Sequence, residues 1–145
     1  MKFSKSLRAN IDKVLWRINV KCYMLADELF TSVVQLSPSP SHPGPYAYGW
    51  LANQWYPDTN GFSEELDSRQ SDTGADSLSR IHEMFARTRG SIFDKRDGNI
   101  TLTNNLSYAY RAEALGWPES EGWSGQIGPY RMVALSIQQI ATKYK

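Results

Sequence analysis

The sequence is short of the residues that most site chemistry needs. A single cysteine, Cys22, excludes an internal disulfide and any multi-cysteine zinc site. The only histidines are His42, in a proline-rich stretch, and His82, beside Glu83 in a helical stretch. Adjacent helical residues do not face one direction, so no metal site is expected. No G-x-x-x-x-G-K-S/T loop occurs, and no serine sits in a G-x-S-x-G turn. The glycines at 116, 122, 125 and 128 lack the strand-to-helix context of a dinucleotide site. No apolar run is long enough to span a bilayer. The N-terminal Met1–Lys5 lacks an apolar h-region, so a secretory signal is not expected. A formal charge of +1 leaves no overall pull toward nucleic acid.

Two things are present in excess. Five Trp, eight Tyr and five Phe must fill a core or a contact surface. Charge is also separated along the chain. Lys2, Lys5, Arg8, Lys13, Arg17 and Lys21 face one acid, Asp12, whereas Asp58, Glu64, Glu65, Asp67, Asp72 and Asp76 face one base, Arg69. Two solvated surfaces are the plainer interpretation. Head-to-tail docking between copies or neighbours is the sharper one. A phosphate-binding face for the N-terminal bases is weaker, because the chain as a whole is not basic.

With 145 residues the chain suits one structural domain. Its first third reads as a long helix, 3–36. Phe3, Leu7, Ile11, Val14, Ile18, Cys22, Leu25, Leu29, Val33 and Leu36 recur at helical steps, and Cys22 on this stripe reads as an inert buried thiol. Such a helix is roughly 50 Å long, more than a globule of this size needs, with a radius of gyration of roughly 15 Å. Trp16, Val20, Tyr23 and Phe30 lie off the stripe and either widen the core face or pack on another subunit.

Four prolines and a glycine within 37–45 end the helix and favour an extended crossing. The aromatic run 46–56 is a strand candidate, and 57–76 reads as an acidic surface loop. Its carboxylates Glu64, Glu65 and Asp67 lie in a solvent-like setting that raises no pKa for acid–base work. Asp76 or Ser77 is placed to cap a short helix carrying Leu78, Ile81, Met84 and Phe85, which Gly90 stops. Residues 91–103 suit a hairpin with Asp97-Gly98 at its turn. Residues 106–115 fit strand or helix equally. A loop with Trp117 and Trp123 follows. After Gly128-Pro129 a last helix sets Val133, Ile137, Ile140 and Tyr144 on one face. The expected fold class is α+β: a long N-terminal helix, a small antiparallel sheet with a hairpin, a short middle helix and a C-terminal helix.

In order, these motifs resemble the tail-completion and head–tail joining (neck) proteins of tailed bacteriophages, the group that includes minor tail protein Z-like chains. The resemblance rests on four stretches. The N-terminal helix runs into Ser37-Pro38, then Gly44 through Trp50 and Trp55. The family's T-P-x-D-T-G-like stretch is replaced here by Ser41-His42-Pro43-Gly44. A polar stretch, Ser71 to Ile81, enters a short helix. Thr103-Asn104-Asn105 precede Tyr108-Ala109 and Glu113 with Gly116, and Gly128-Pro129 leads into Met132-Val133.

The resemblance implies a virion structural protein without catalytic residues, cofactor or metal, made in the bacterial host cytoplasm. It implies a homo-oligomer ring at the neck, commonly a hexamer and alternatively a dodecamer. Its neighbours would be connector or adaptor, tail-tube or tail-terminator proteins, with DNA only as passing genome and no membrane. The interface candidates are Trp16, Tyr23, Trp50, Trp55, Asp58, Glu64, Glu65, Trp117 and Trp123. A glycan- or receptor-binding module using the Trp-rich loops is the alternative.

Overall fold

The computed structural model describes residues 2–38, 50–59, 61–67, 74–88, 99–117 and 128–145. Helix α1, Lys2–Leu36, is uninterrupted, as expected of a segment without glycine or proline. It ends where Ser37 folds back, its Oγ donating to the Val33 carbonyl at 2.8 Å. The short helix α2, Trp50–Asn53, leads into strand β1, Trp55–Asp58. Helix α3 spans Ala75–Thr88, strand β2 Thr101–Asn104, a π-helical turn Arg111–Leu115 and helix α4 Met132–Lys143. The fold is α+β. The described sheet is one antiparallel pair in which Trp55 faces Asn104 and Asp58 faces Thr101.

The core gathers the C-terminal half of α1 (Phe30, Val33, Val34) with Leu51, Trp55, Ile81, Met84, Phe85, Ala112, Trp117 and Met132. Fully burying a side chain such as Leu51, Ile81 or Phe85 contributes roughly 1.5–3 kcal/mol. Both α3 and α4 run antiparallel to α1. His82 lies beside Asp27 and Gly74 beside Val34, while Ser136 donates to Ser32 and Lys143 reaches Glu28.

Several local expectations are corrected. The run 46–56 is not one strand: 50–53 turn helically and the strand begins at Trp55. The acidic loop is shorter than 57–76, because β1 takes 57–58 and α3 takes 75–76. Ser77 is not a cap. Helix α3 starts at Ala75, and the buried Ser77 hydroxyl accepts the Trp55 backbone N–H at 3.1 Å. β2 pairs with β1 rather than, among described residues, with a hairpin arm. The 91–98 half and its turn lie outside them, as do Gly90 and the crossing beyond Pro38. Residues 111–115 are helical. Helix α4 turns Met132 and Ser136 inward and leaves Ile137 exposed, so its buried face is rotated from the expected one.

Candidate assembly surface

Every residue of α1 from Ser4 to Ile18 is exposed. The reason is length. Tyr23, packed edge-on against Phe85 at 4.7 Å between ring centroids, is the first α1 residue in contact with the core among the described residues. Helix α4 runs out at Lys143, opposite Glu28. Residues 2–21 therefore form an arm of about 30 Å beyond the body. The stripe residues Leu7, Ile11, Val14, Leu15 and Ile18 keep 50–53% of their surface in water. One amphipathic stripe thus serves two settings: its C-terminal half packs under α4, and its N-terminal half meets no core residue among the described ones. At about 100° per residue, Arg8 borders one edge of the stripe and Arg17 and Lys21 the other. Lys2, Lys5 and Lys13 occupy the remaining faces.

The base of the arm is clamped. Glu28 accepts from Lys143 and from the Tyr144 hydroxyl, the latter at 2.6 Å. These bonds, Lys143 first, hold the Glu28 carboxyl below its ordinary value. The bond to Glu28 raises the Lys143 ammonium and the Tyr144 phenol. Glu28, Asp27, His82 and Lys143 line an open groove of about 590 Å³ between α1, α3 and α4. Its charged groups face one another: Glu28 meets Lys143, and Asp27 lies 3.8 Å from His82.

A second exposed surface lies beside the other end of α1. The Trp55 indole N–H donates to Ser37 Oγ at 2.8 Å, placing β1 beside the helix terminus. Gln54, preceding that strand, grips the Asp67 backbone, with its Nε2 donating to the carbonyl and its Oε1 accepting the N–H at 2.7 Å. The Asn105 amide donates to the Ser63 and Glu65 carbonyls at 2.8 and 3.0 Å, and Thr101 reaches Gly61. Arg80, stacked on Tyr56 at 4.1 Å, meets Asp67 at 3.4 Å. These ties hold the backbone of 61–67 while the side chains of Phe62, Glu64, Glu65 and Leu66 are exposed. Phe62 is 78% exposed and Leu66 61%, with Glu64 and Glu65 exposed between them.

No family model, curated protein or solved structure matches the chain.

The interface candidates divide by this geometry. Trp16, Glu64 and Glu65 are exposed, and Asp58 is half-buried at the end of β1. Trp55 and Trp117 are corrections. They are 6% and 4% exposed, spent on the core, and unavailable to a neighbour or a sugar. Trp117 carries the Arg111 guanidinium over its ring at 5.4 Å. Tyr23 is committed to Phe85. The side chains of Trp50 and Trp123, and His42, lie outside the described residues. Cys22 is half-buried rather than fully buried. Among described residues no three His, Cys, Asp or Glu come together to hold a metal ion, and no helix is long and apolar enough to cross a membrane. Phe62 and Leu66 were not singled out from sequence. Two large apolar residues interrupting an acidic loop were the available signal.

Proposed function

We propose that the chain is a non-enzymatic structural subunit of the head–tail joint of a tailed bacteriophage, and that it works by assembling with copies of itself and with the rings above and below. The carrying observation is the arm, a helix whose apolar stripe continues well past the body that covers its other half. A large exposed apolar surface marks an interaction site. Five half-exposed aliphatic residues offer roughly 4–8 kcal/mol on burial. That is comparable with the freedom lost on association, about 4–15 kcal/mol. A single arm contact is therefore weak, and a closed ring or a template that engages several at once makes it stable. The virion setting comes from the motif order; the assembly role is supported independently by the arm.

The test is made in the particle. The gene is inactivated in the phage that carries it, and the lysate is imaged by negative-stain electron microscopy. Filled heads lying apart from finished tails are expected. Complete particles that fail only to adsorb overturn the joining role and move the protein to receptor or glycan contact.

A further inference from the structure

From the two exposed surfaces we infer that the arm of one copy docks on the Phe62–Leu66 segment of the next copy, head to tail. The inference rests on the assembly reading above and specifies its contact.

The chemistry is complementary. The arm presents an apolar stripe edged by Arg8, Arg17 and Lys21. The segment presents Phe62 and Leu66 with Glu64 and Glu65 between them. Apolar centres with oppositely charged rims favour this pairing, and the charges set its register and speed. Arm-to-arm pairing buries the same apolar stripe but crowds bases against bases, with Asp12 the one acid along residues 2–21. The dimensions agree as well. Leu7 to Ile18 spans about 16 Å of helix. Residues 62–66 span at most about 13 Å.

Geometry makes the contact intermolecular. The segment is tied through Gln54 and Trp55 to Ser37, at the C-terminal end of α1. The stripe residues lie about 28–45 Å back along the same helix. A continuous helix cannot fold back over that distance, so an arm must use another copy's segment. Two different patches on each copy make a heterologous contact, which closes into a ring or runs on as a filament. The segment is also held before binding: its anchors are backbone groups and Asp67, leaving the four outward side chains free to bind without reordering the loop.

The test uses two full-length variants. One carries Ile11→Asp and Leu15→Asp, which spoil the arm. The other carries Phe62→Ser, Glu64→Lys, Glu65→Lys and Leu66→Ser, which spoil the segment. All six side chains are exposed, so both should melt like the wild type. In sedimentation velocity each variant alone should be monomeric. Their mixture should form a dimer and stop there, because only one good arm and one good segment remain. The pair Glu64→Lys/Glu65→Lys alone should weaken association about tenfold or more, and Arg8→Glu/Arg17→Glu should restore it.

A segment variant that self-associates as well as the wild type overturns the inference in favour of arm-to-arm contact. A wild-type chain that stays monomeric at every concentration also overturns it. Binding of the segment variant to phosphatidylcholine–phosphatidylserine vesicles, without pairing in the mixture, assigns the arm to a lipid surface and overturns it too. None of these solution outcomes decides the joining role, which stands or falls on the particle assay.

Discussion

Glu113 offers the sharpest single-residue perturbation. Helix α4 begins badly by local rules. Arg131, at the N-cap position, is left-handed with φ 53° and makes no side-chain cap. The first-turn N–H groups would then lack protein partners. Glu113 supplies them from the π-helical turn, accepting the Val133 N–H at 3.0 Å and the Ala134 N–H at 3.1 Å. The carboxylate also sits at the positive end of the helix dipole. Losing a cap costs about 0.5–2 kcal/mol. A net hydrogen bond to a charged group is worth about 1.5–3 kcal/mol. The carboxylate is only half-buried, so water replaces part of the loss, and Glu113→Ala should cost about 2–3 kcal/mol. Glu113→Gln keeps one acceptor and should cost about 1 kcal/mol. For a chain of this size these values correspond to Tm falls of roughly 6–9 °C and 3 °C. Circular-dichroism melts and urea unfolding should agree on the order wild type, Gln, Ala. Amide exchange at Val133 and Ala134 should accelerate in the alanine variant. The exposed Glu83→Ala is the control. A Glu113→Ala melt within about 1 °C of that control would refute the capping argument.

Three further outcomes follow from the packing. Trp117→Ala should destabilise by about 3–5 kcal/mol in urea, whereas exposed Trp16→Ala should stay within about 0.5 kcal/mol; equal effects would contradict the burial of Trp117. Gly74 has φ +70°, and a Cβ there would lie 2.6 Å from Val34 Cγ1 and 3.0 Å from the Ala52 carbonyl. Gly74→Ala should therefore cost about 2–4 kcal/mol by denaturant titration, and a neutral result would contradict this close approach. The Glu28 clamp makes stability depend on pH at both ends. Lowered Glu28 contributes above its ordinary value of 4.5 and loses that contribution as pH falls through its folded value. Raised Lys143 and Tyr144 contribute below their ordinary values of 10.5 and 10.0 and lose that as pH rises through their folded values. The Tm gap between wild type and Glu28→Gln should be widest between these limits, small because the groups are exposed, and reduced by salt; a gap independent of pH would count against the clamp.

Some of this was legible in the sequence because it depends on neighbours along the chain. Steps of three and four residues, with no glycine or proline before Pro38, determine α1, and Leu78, Ile81, Met84 and Phe85 mark α3 in the same way. The separation of bases at 2–21 from acids in 58–76 is likewise plain. Periodicity says that a face is apolar, however, and not what covers it. The stripe is equally regular at Ile11 and at Leu29, yet only Leu29 packs against the core, because α3 and α4 lie along one half of the helix.

Composition misled at the tryptophans for a related reason. A Trp suits an exposed loop or a core equally well, and Trp55 and Trp117 were drawn into a core cluster built from residues distant in sequence, such as Val33, Ile81 and Phe85. Glu113 shows the same limit. As a residue of the resemblance it had no physical role, and only the approach of the π-helical turn to Val133 and Ala134 makes it a cap. By itself the sequence determined the long N-terminal helix, the middle and C-terminal helices, the α+β class and the charge separation, because these follow from local propensity and spacing. Tertiary structure decided which half of α1 is bare, which aromatics are core, and that the acidic segment is tied down beside the far end of the helix. Those outcomes depend on long-range packing, which no spacing along the chain encodes directly.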